Sequence, residues 1–162
     1  MLSASAVRCL ACPNPACFVK NCDEAWLGYL SKNKYQVVYK AGQYVFRKND
    51  PVEGLFFVYK GRIKVSGTST DGGEQIVRLA SDGHVLGHRG FGGECYPINA
   101  IAIQDSRVCF IENELLYKAF MANPAFTFQL MRYYFLELRK SEQGLIFLSQ
   151  MSMVEKIVAA LL

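Results

Sequence analysis

Short apolar runs broken by turn residues fill the stretch from Tyr35 to Ile111, and longer segments with helical spacing flank it. YQVVYKAGQYVFRKNDP predicts two strands with Ala41-Gly42 between them, and LFFVYKGRIKVSG predicts two more around Lys60-Gly61. EQIVRLA follows the turn Thr70-Asp71-Gly72-Gly73, and NAIAIQDSRVCFI supplies a final pair around Gln104-Asp105. No helix interrupts these strands, which favours an antiparallel sandwich or barrel over an α/β sheet. The helices lie outside. Asp23 can cap a short one, DEAWLGYL, and IENELLYKAFMA reads as another. Asn123 then caps, and Pro124 opens, the long segment PAFTFQLMRYYFLELRKSEQGLIFLSQM. The predicted class is mainly β with flanking α-helices.

The long segment is too apolar for one buried face. Phe128, Met131, Phe135 and Leu138 recur at heptad-like spacing, while Leu130, Tyr134, Leu145 and Leu148 form a neighbouring stripe. One stripe can cover the β domain; the other needs a partner. At about 1.5 Å per residue, roughly 28 residues extend about 40 Å, longer than a lid on a small β domain requires. The expectation is a twofold homodimer with Phe128, Met131, Phe135, Leu138 and Leu145 in its seam; a large core helix is the alternative. After a break at Ser149 to Ser152, VEKIVAALL begins what reads as another helix and stops mid-pattern, so the chain reads as the front of something longer.

Composition narrows the class. The chain has 162 residues, 51% of them hydrophobic and 20% charged, which suits one globular domain with a substantial core and an appendage. Lys and Arg exceed Asp and Glu by only 18 to 14, and the charges are dispersed, so charge alone does not argue for a nucleic-acid surface. Arg8, Lys20, Lys32, Lys34 and Lys40 read as solvated. MLSASAVR is too short and polar for a signal peptide, and no apolar run reaches the ~18 residues of a membrane span, so a cytoplasmic protein without a membrane partner is expected. No acid/base pair, and no nucleophile beside a base, stands at recognisable spacing; an enzyme is not expected.

Four of the six cysteines fall within CLACPNPACFVKNC, residues 9 to 22, spaced C-x2-C-x4-C-x4-C. In a reducing compartment such clusters are metal ligands or redox groups more often than disulfide frameworks. Pro13 and Pro15 keep the loop extended, so that its thiols can reach separate irons of an iron-sulfur cluster. A tetrahedral structural zinc, redox thiols and a vestigial site are the other readings. Cys109 lies in an apolar strand pattern, where a cysteine reads most simply as a small buried hydrophobe. Cys95, after Glu94 in a loop, has no evident partner.

Several stretches together resemble the Crp/Fnr transcription regulators: Ala41-Gly42-Gln43, the segment Phe57 to Val65 read as a hairpin, Gly72 to Ile76, Gly83 to Gly87, and Ser106 to Ile111. The resemblance runs from about Cys9 to Leu162. It implies a cyclic-nucleotide-binding-domain-like antiparallel β-roll (jelly roll), a long dimerisation helix, and DNA binding through a C-terminal helix-turn-helix that these residues do not include. The implied divisions are a cysteine-rich segment at 1–22, the sensor β-roll at 23–122, the dimerisation helix at 123–151, and the start of a DNA-binding domain at 152–162.

The resemblance also offers two sensing chemistries. Cyclic-nucleotide binders hold ribose and phosphate with a Gly-Glu pair and an Arg-Ser/Thr-Ala run, since a buried phosphate needs a bidentate cation and oriented N–H donors. In GHVLGHRGFGGECYPINA, His84 takes the place of that Glu and Pro97-Ile98-Asn99-Ala100 that of the Arg run. Cyclic AMP is therefore not expected; the effector reading is another small acidic ligand in a pocket of Gly83, Gly87, His88, Arg89, Glu94 and Asn99. In the oxygen-sensing FNR branch, three N-terminal cysteines and one from the β-roll hold a four-iron, four-sulfur cluster. Cys9, Cys12 and Cys17 resemble the first three, with the second spacing one residue shorter than in the family, and Cys109 stands in the fourth place with Cys22 as its alternative. The leading expectation is an oxygen or redox sensor whose cluster is lost in aerobic preparations and whose signal alters packing near the long helix. The alternatives are an effector domain for a cyclic nucleotide or other acidic ligand, its cysteines holding zinc or nothing, and a stand-alone nucleotide-binding module with no DNA target.

Overall fold

The computed structural model describes residues 7–69, 72–150 and 152. Thr70-Asp71 and the expected VEKIVAALL helix lie outside the described residues. Two compact units, Met1–Phe126 and Thr127–Leu162, divide the chain.

In the first unit, two 3-10 turns, Cys9–Ala11 and Phe18–Asn21, precede helix α1 (Glu24–Asn33). The Asp23 carboxylate accepts the Trp26 N–H at 2.8 Å and caps it, as its position predicts. Leu27 and Leu30, three apart on one face, are buried. Eight strands follow: β1 (Tyr35–Tyr39), β2 (Tyr44–Phe46), β3 (Gly54–Lys60), β4 (Ile63–Thr68), β5 (Glu74–Ala80), β6 (Val85–Leu86), β7 (Asn99–Ala102) and β8 (Ser106–Glu112). Helix α2 (Asn113–Ala122) starts directly after β8, and α3 begins at Pro124.

The strands form two four-stranded antiparallel sheets, ordered β1-β8-β3-β6 and β2-β7-β4-β5. Between them lies a core that includes Val58, Ile63, Val65, Ala100 and Val108. This is the antiparallel jelly roll, but its pairings correct one expectation. The Phe57 to Val65 stretch is not a hairpin: β3 pairs with β6 and β8, and β4 with β5 and β7. A turn that carries the chain to the opposite sheet uses the same residues as one that folds it back. At Gly61, φ is +137°, and a Cβ would run into the Ser106 side chain; only glycine fits this crossing. The two-residue β6 was not foreseen.

Strands β3 and β8 are buried on both faces. Val58 and Val108 point into the core, while Leu55, Phe57, Cys109 and Ile111 belong to the opposite pleat and are also buried. That second face carries the site.

In the second unit, α3 continues to Gln150, inside the expected break. Its Phe128, Met131, Phe135, Leu138 and Leu145 side chains are exposed, Phe135 at 61% and Leu138 at 58%. Asn123, expected as the α3 cap, donates its amide to Ala119 O at 3.2 Å and accepts the Asp23 N–H at 3.4 Å, tying the end of α2 to the start of α1.

Candidate functional site

The cysteine segment lies over the outer face of β3 and β8. Cys109 pairs with Phe57 across the ladder and, being one residue out of phase with the core-facing Val108, turns its thiol outward. Cys9, Cys12, Cys17 and Cys109 line a single cavity with Asn14, Lys20, Lys34, Phe57 and Tyr59. All six cysteines are free thiols. The segment is pinned at several points. Cys9 N–H donates to Ser31 Oγ at 2.8 Å, the Asn14 amide to Tyr59 O at 2.6 Å, and Lys20 Nζ to Cys12 O at 2.7 Å. Phe18, next to Cys17, packs against Phe126 with the rings tilted and their centroids 4.8 Å apart.

Lys34 contradicts its expected place in solvent. It is only 7% exposed, and its ammonium donates to Cys9 Sγ at 3.3 Å and to Cys109 Sγ at 3.6 Å. Gln36 Nε2 donates to Cys109 Sγ at 3.5 Å. The position explains the inversion. Lys34 closes α1, its N–H bonded to Leu30 O at 3.0 Å, one residue before β1 enters the sheet beside β8.

Burial pushes the Cys17 thiol up to about 11; the Val19 backbone opposes the rise, and Cys12, Cys9 and Cys109 add to it. Burial also raises Cys109, against the pull of Lys34 and Gln36. For Lys34 burial acts downward, but the facing sulfurs of Cys109 and Cys9 outweigh it and the net shift is up. Soft sulfurs in a shared cavity, with the Lys34 ammonium beside two of them, suit a thiophilic metal group, whose binding itself takes the protons from its thiols. The cavity as it stands is about 20 Å³, room for about one water molecule. Among the described residues, no three His, Cys, Asp or Glu side chains are gathered so as to hold a metal ion as they stand. A multi-atom cluster therefore fits the donor set but requires the Cys9–Cys22 segment, which has no strand pairing, to move outward. Cys22 is buried but does not line the cavity; burial and then Asp23 push it up to about 12. Cys95 is exposed.

The expected effector residues do not converge. Gly87, His88 and Arg89 line a second cavity with Phe46, Arg78, Leu86 and Tyr96. Gly83 instead packs beside Ala16 and Cys17, Glu94 O accepts the Val52 N–H, and Asn99 Oδ1 accepts the Lys48 N–H at 2.9 Å. The second cavity is about 10 Å³, too small for a nucleotide. The Tyr96 ring occupies the space, stacked on Phe46 at 4.1 Å, its hydroxyl donating to Gly54 O at 2.8 Å. Arg78, a cation outside the expected pocket, enters from β5 and donates to Val85 O at 2.5 Å. The i, i+2 relation of Arg78 to the buried Ala80 was the signal for it.

Residues 36–123 match the cyclic nucleotide-binding domain. The chain belongs to that family. This cyclic nucleotide-binding domain is similar to the transcriptional activator protein anr of Pseudomonas aeruginosa, 32% identical over 122 residues that make up 75% of this chain and 50% of that protein. It is 28% identical to the fumarate and nitrate reduction regulatory protein of Vibrio cholerae over 120 residues, 74% of this chain and 48% of that one. The chain spans about half the length of these curated relatives. Thermus thermophilus catabolite activator protein shares the fold with a TM-score of 0.72 at 18% identity, over 82% of this chain and 62% of that chain. Among the described residues no helix is long and apolar enough to cross a membrane.

Proposed function

We propose that this chain is the sensory and dimerisation portion of a Crp/Fnr-type transcription regulator that responds to oxygen or redox state. The observation that carries the reading is the meeting of Cys9, Cys12 and Cys17 with Cys109, from the far end of the fold, at one cavity. These four are the ligands of a four-iron, four-sulfur cluster, and Cys22 is not needed. When bound, the cluster supplies an oxygen-sensitive redox centre of the kind a reducing cytoplasm preserves. The remaining work is done by the chain. Cys17 is followed by Phe18, whose ring rests on Phe126, and Phe126 stacks on Phe120 at 4.8 Å. Movement of the cysteine loop is therefore felt in the first turn of α3. In the homodimer, the exposed stripe of Phe128, Met131, Phe135, Leu138 and Leu145 meets its symmetry mate. DNA is contacted by a part of the regulator beyond these residues.

Anaerobic reconstitution with iron and sulfide tests the reading. A brown protein is expected, its visible absorption lost in Cys12→Ala and kept in Cys95→Ala. Stoichiometric zinc without labile sulfide replaces the cluster with a structural site. For assembly, Phe135→Glu combined with Leu138→Glu is expected to yield monomer by light scattering; a wild-type monomer at micromolar concentration ends the dimer claim.

A further inference from the structure

Lysine is among the residues least often buried, and when it is, a carboxylate usually accompanies it. Lys34 breaks that pattern. It is 7% exposed, it makes no salt bridge with a carboxylate among the described residues, and its ammonium hydrogen bonds run to sulfur alone, to Cys9 at 3.3 Å and Cys109 at 3.6 Å. Neutral thiols are weak acceptors and leave the positive charge uncompensated. Thiolates in the same positions would be strong, charged acceptors, and metal ligation is what makes thiolates.

From this we infer that Lys34 is a built-in counter-ion for the cluster-ligating sulfurs and an N–H···S donor to Cys109, which β8 holds in place beside it, a positioning residue that sets the reduction potential of the bound cluster. Gln36 plays the lesser part, donating to Cys109 Sγ at 3.5 Å without a charge. The inference rests on the cluster reading above and adds to it the residues that tune the site. Hydrogen bonds to ligand sulfur and nearby positive charge favour the more negatively charged, reduced form, and so raise the potential. Removing the ammonium lowers it and leaves the cluster easier to oxidise. Lys20 differs: its ammonium bonds the Cys12 carbonyl, not a sulfur, so it braces the loop.

The test uses the full chain, purified and reconstituted without oxygen, as wild type, Lys34→Met, Lys34→Arg and Gln36→Leu. Spectroelectrochemistry, with the electron supplied by the electrode through mediators, reads the one-electron midpoint potential. For Lys34→Met the reduction equilibrium is expected to shift about tenfold toward the oxidised form, equivalent to ~59 mV more negative. Lys34→Arg is expected to stay near wild type, because it restores charge and donors, and Gln36→Leu to fall between. Absorbance in air-saturated buffer should decay in the same order, fastest in Lys34→Met. Where Met is not tolerated in the fold, Lys34→Gln removes the charge while keeping a polar side chain, and the same shift is expected. Equal potentials in wild type and the uncharged variant overturn the inference and leave Lys34 as packing. A wild-type chain that takes up no iron and sulfide instead overturns the cluster reading, and the inference with it.

Discussion

The two cavities of this domain lie in different layers, one between the two sheets and one on the outer face of β3 and β8. Inside the roll, where Gly87, His88 and Arg89 border the cavity, Tyr96 stacks on Phe46 and anchors to Gly54 O, leaving about 10 Å³. Outside, the face of β3 and β8 is roofed by a segment that brings three cysteines over Cys109 and a buried cation beside them. The inner cavity has apolar rings where a ligand would sit; the outer one has four thiols. A fold whose family name refers to a nucleotide can thus gather cysteines on the outer face of a strand pair whose other face packs the core, because adjacent residues of β8 face opposite ways.

The largest effect that sharpens the contrast is total. Cys12→Ala or Cys109→Ala should abolish iron and sulfide uptake, while Arg89→Ala, in the inner cavity, should leave both at wild-type levels. Metal analysis checks this, and a Cys109→Ala protein with an intact cluster would shift the fourth ligand to Cys22.

Next comes the inner cavity itself. Tyr96→Ala removes a ring 3% exposed and should cost ~3–5 kcal/mol in denaturant unfolding, as for other large aromatic truncations. Tyr96→Phe removes only the bond to Gly54 O, about 0.5–1.5 kcal/mol. Cyclic AMP and cyclic GMP should give no calorimetric heat with the wild type at micromolar concentration. Binding at that level would mean that Tyr96 leaves its place, and the contrast between the cavities would collapse.

The difference in what the two sites reveal to a reader of the sequence is physical. That the N-terminal cysteines share one cavity with Cys109 was legible only through the resemblance carried by SRVCFI, since Cys109 by itself read as a small buried hydrophobe. The helices and seven of the eight strands followed from apolar spacing and caps such as Asp23. Strand pairing did not: the turns around Ala41-Gly42 and Lys60-Gly61 look like hairpin turns, yet each carries the chain between sheets. The inner cavity was illegible because its closure depends on where the Tyr96 ring lands, nine residues beyond Gly87, the last glycine expected to line a pocket. Lys34 was read wrongly for a similar reason. A charge at the end of a short helix is usually solvated, and only the meeting of α1, β1 and β8 buries it.

The smallest expected effect is one of alkaline pH on the metal-free protein. Burial raises Cys17 from 9.0 to about 11 and Cys22 from 9.0 to about 12, while burial also raises Tyr96 from 10.0 to about 12. Below pH 9 the folded and unfolded chains both hold these protons, so the contributions are fully present and constant. Above it the unfolded chain releases protons that the folded chain keeps, and stability is lost as pH rises through the folded values. Tm should therefore decline steadily from about pH 9 upward. Cys22→Ala should remove part of the slope that begins near pH 9, and Tyr96→Phe part of the slope that begins near pH 10. Of these three groups only Cys17 is a proposed ligand, so loading iron should reverse the sign there, because a ligating thiolate has already given up its proton and metal uptake strengthens as pH rises. A Tm that stays flat between pH 9 and 11 in the metal-free protein would mean that water reaches these thiols, and the outer cavity would lose the dry surroundings that distinguish it.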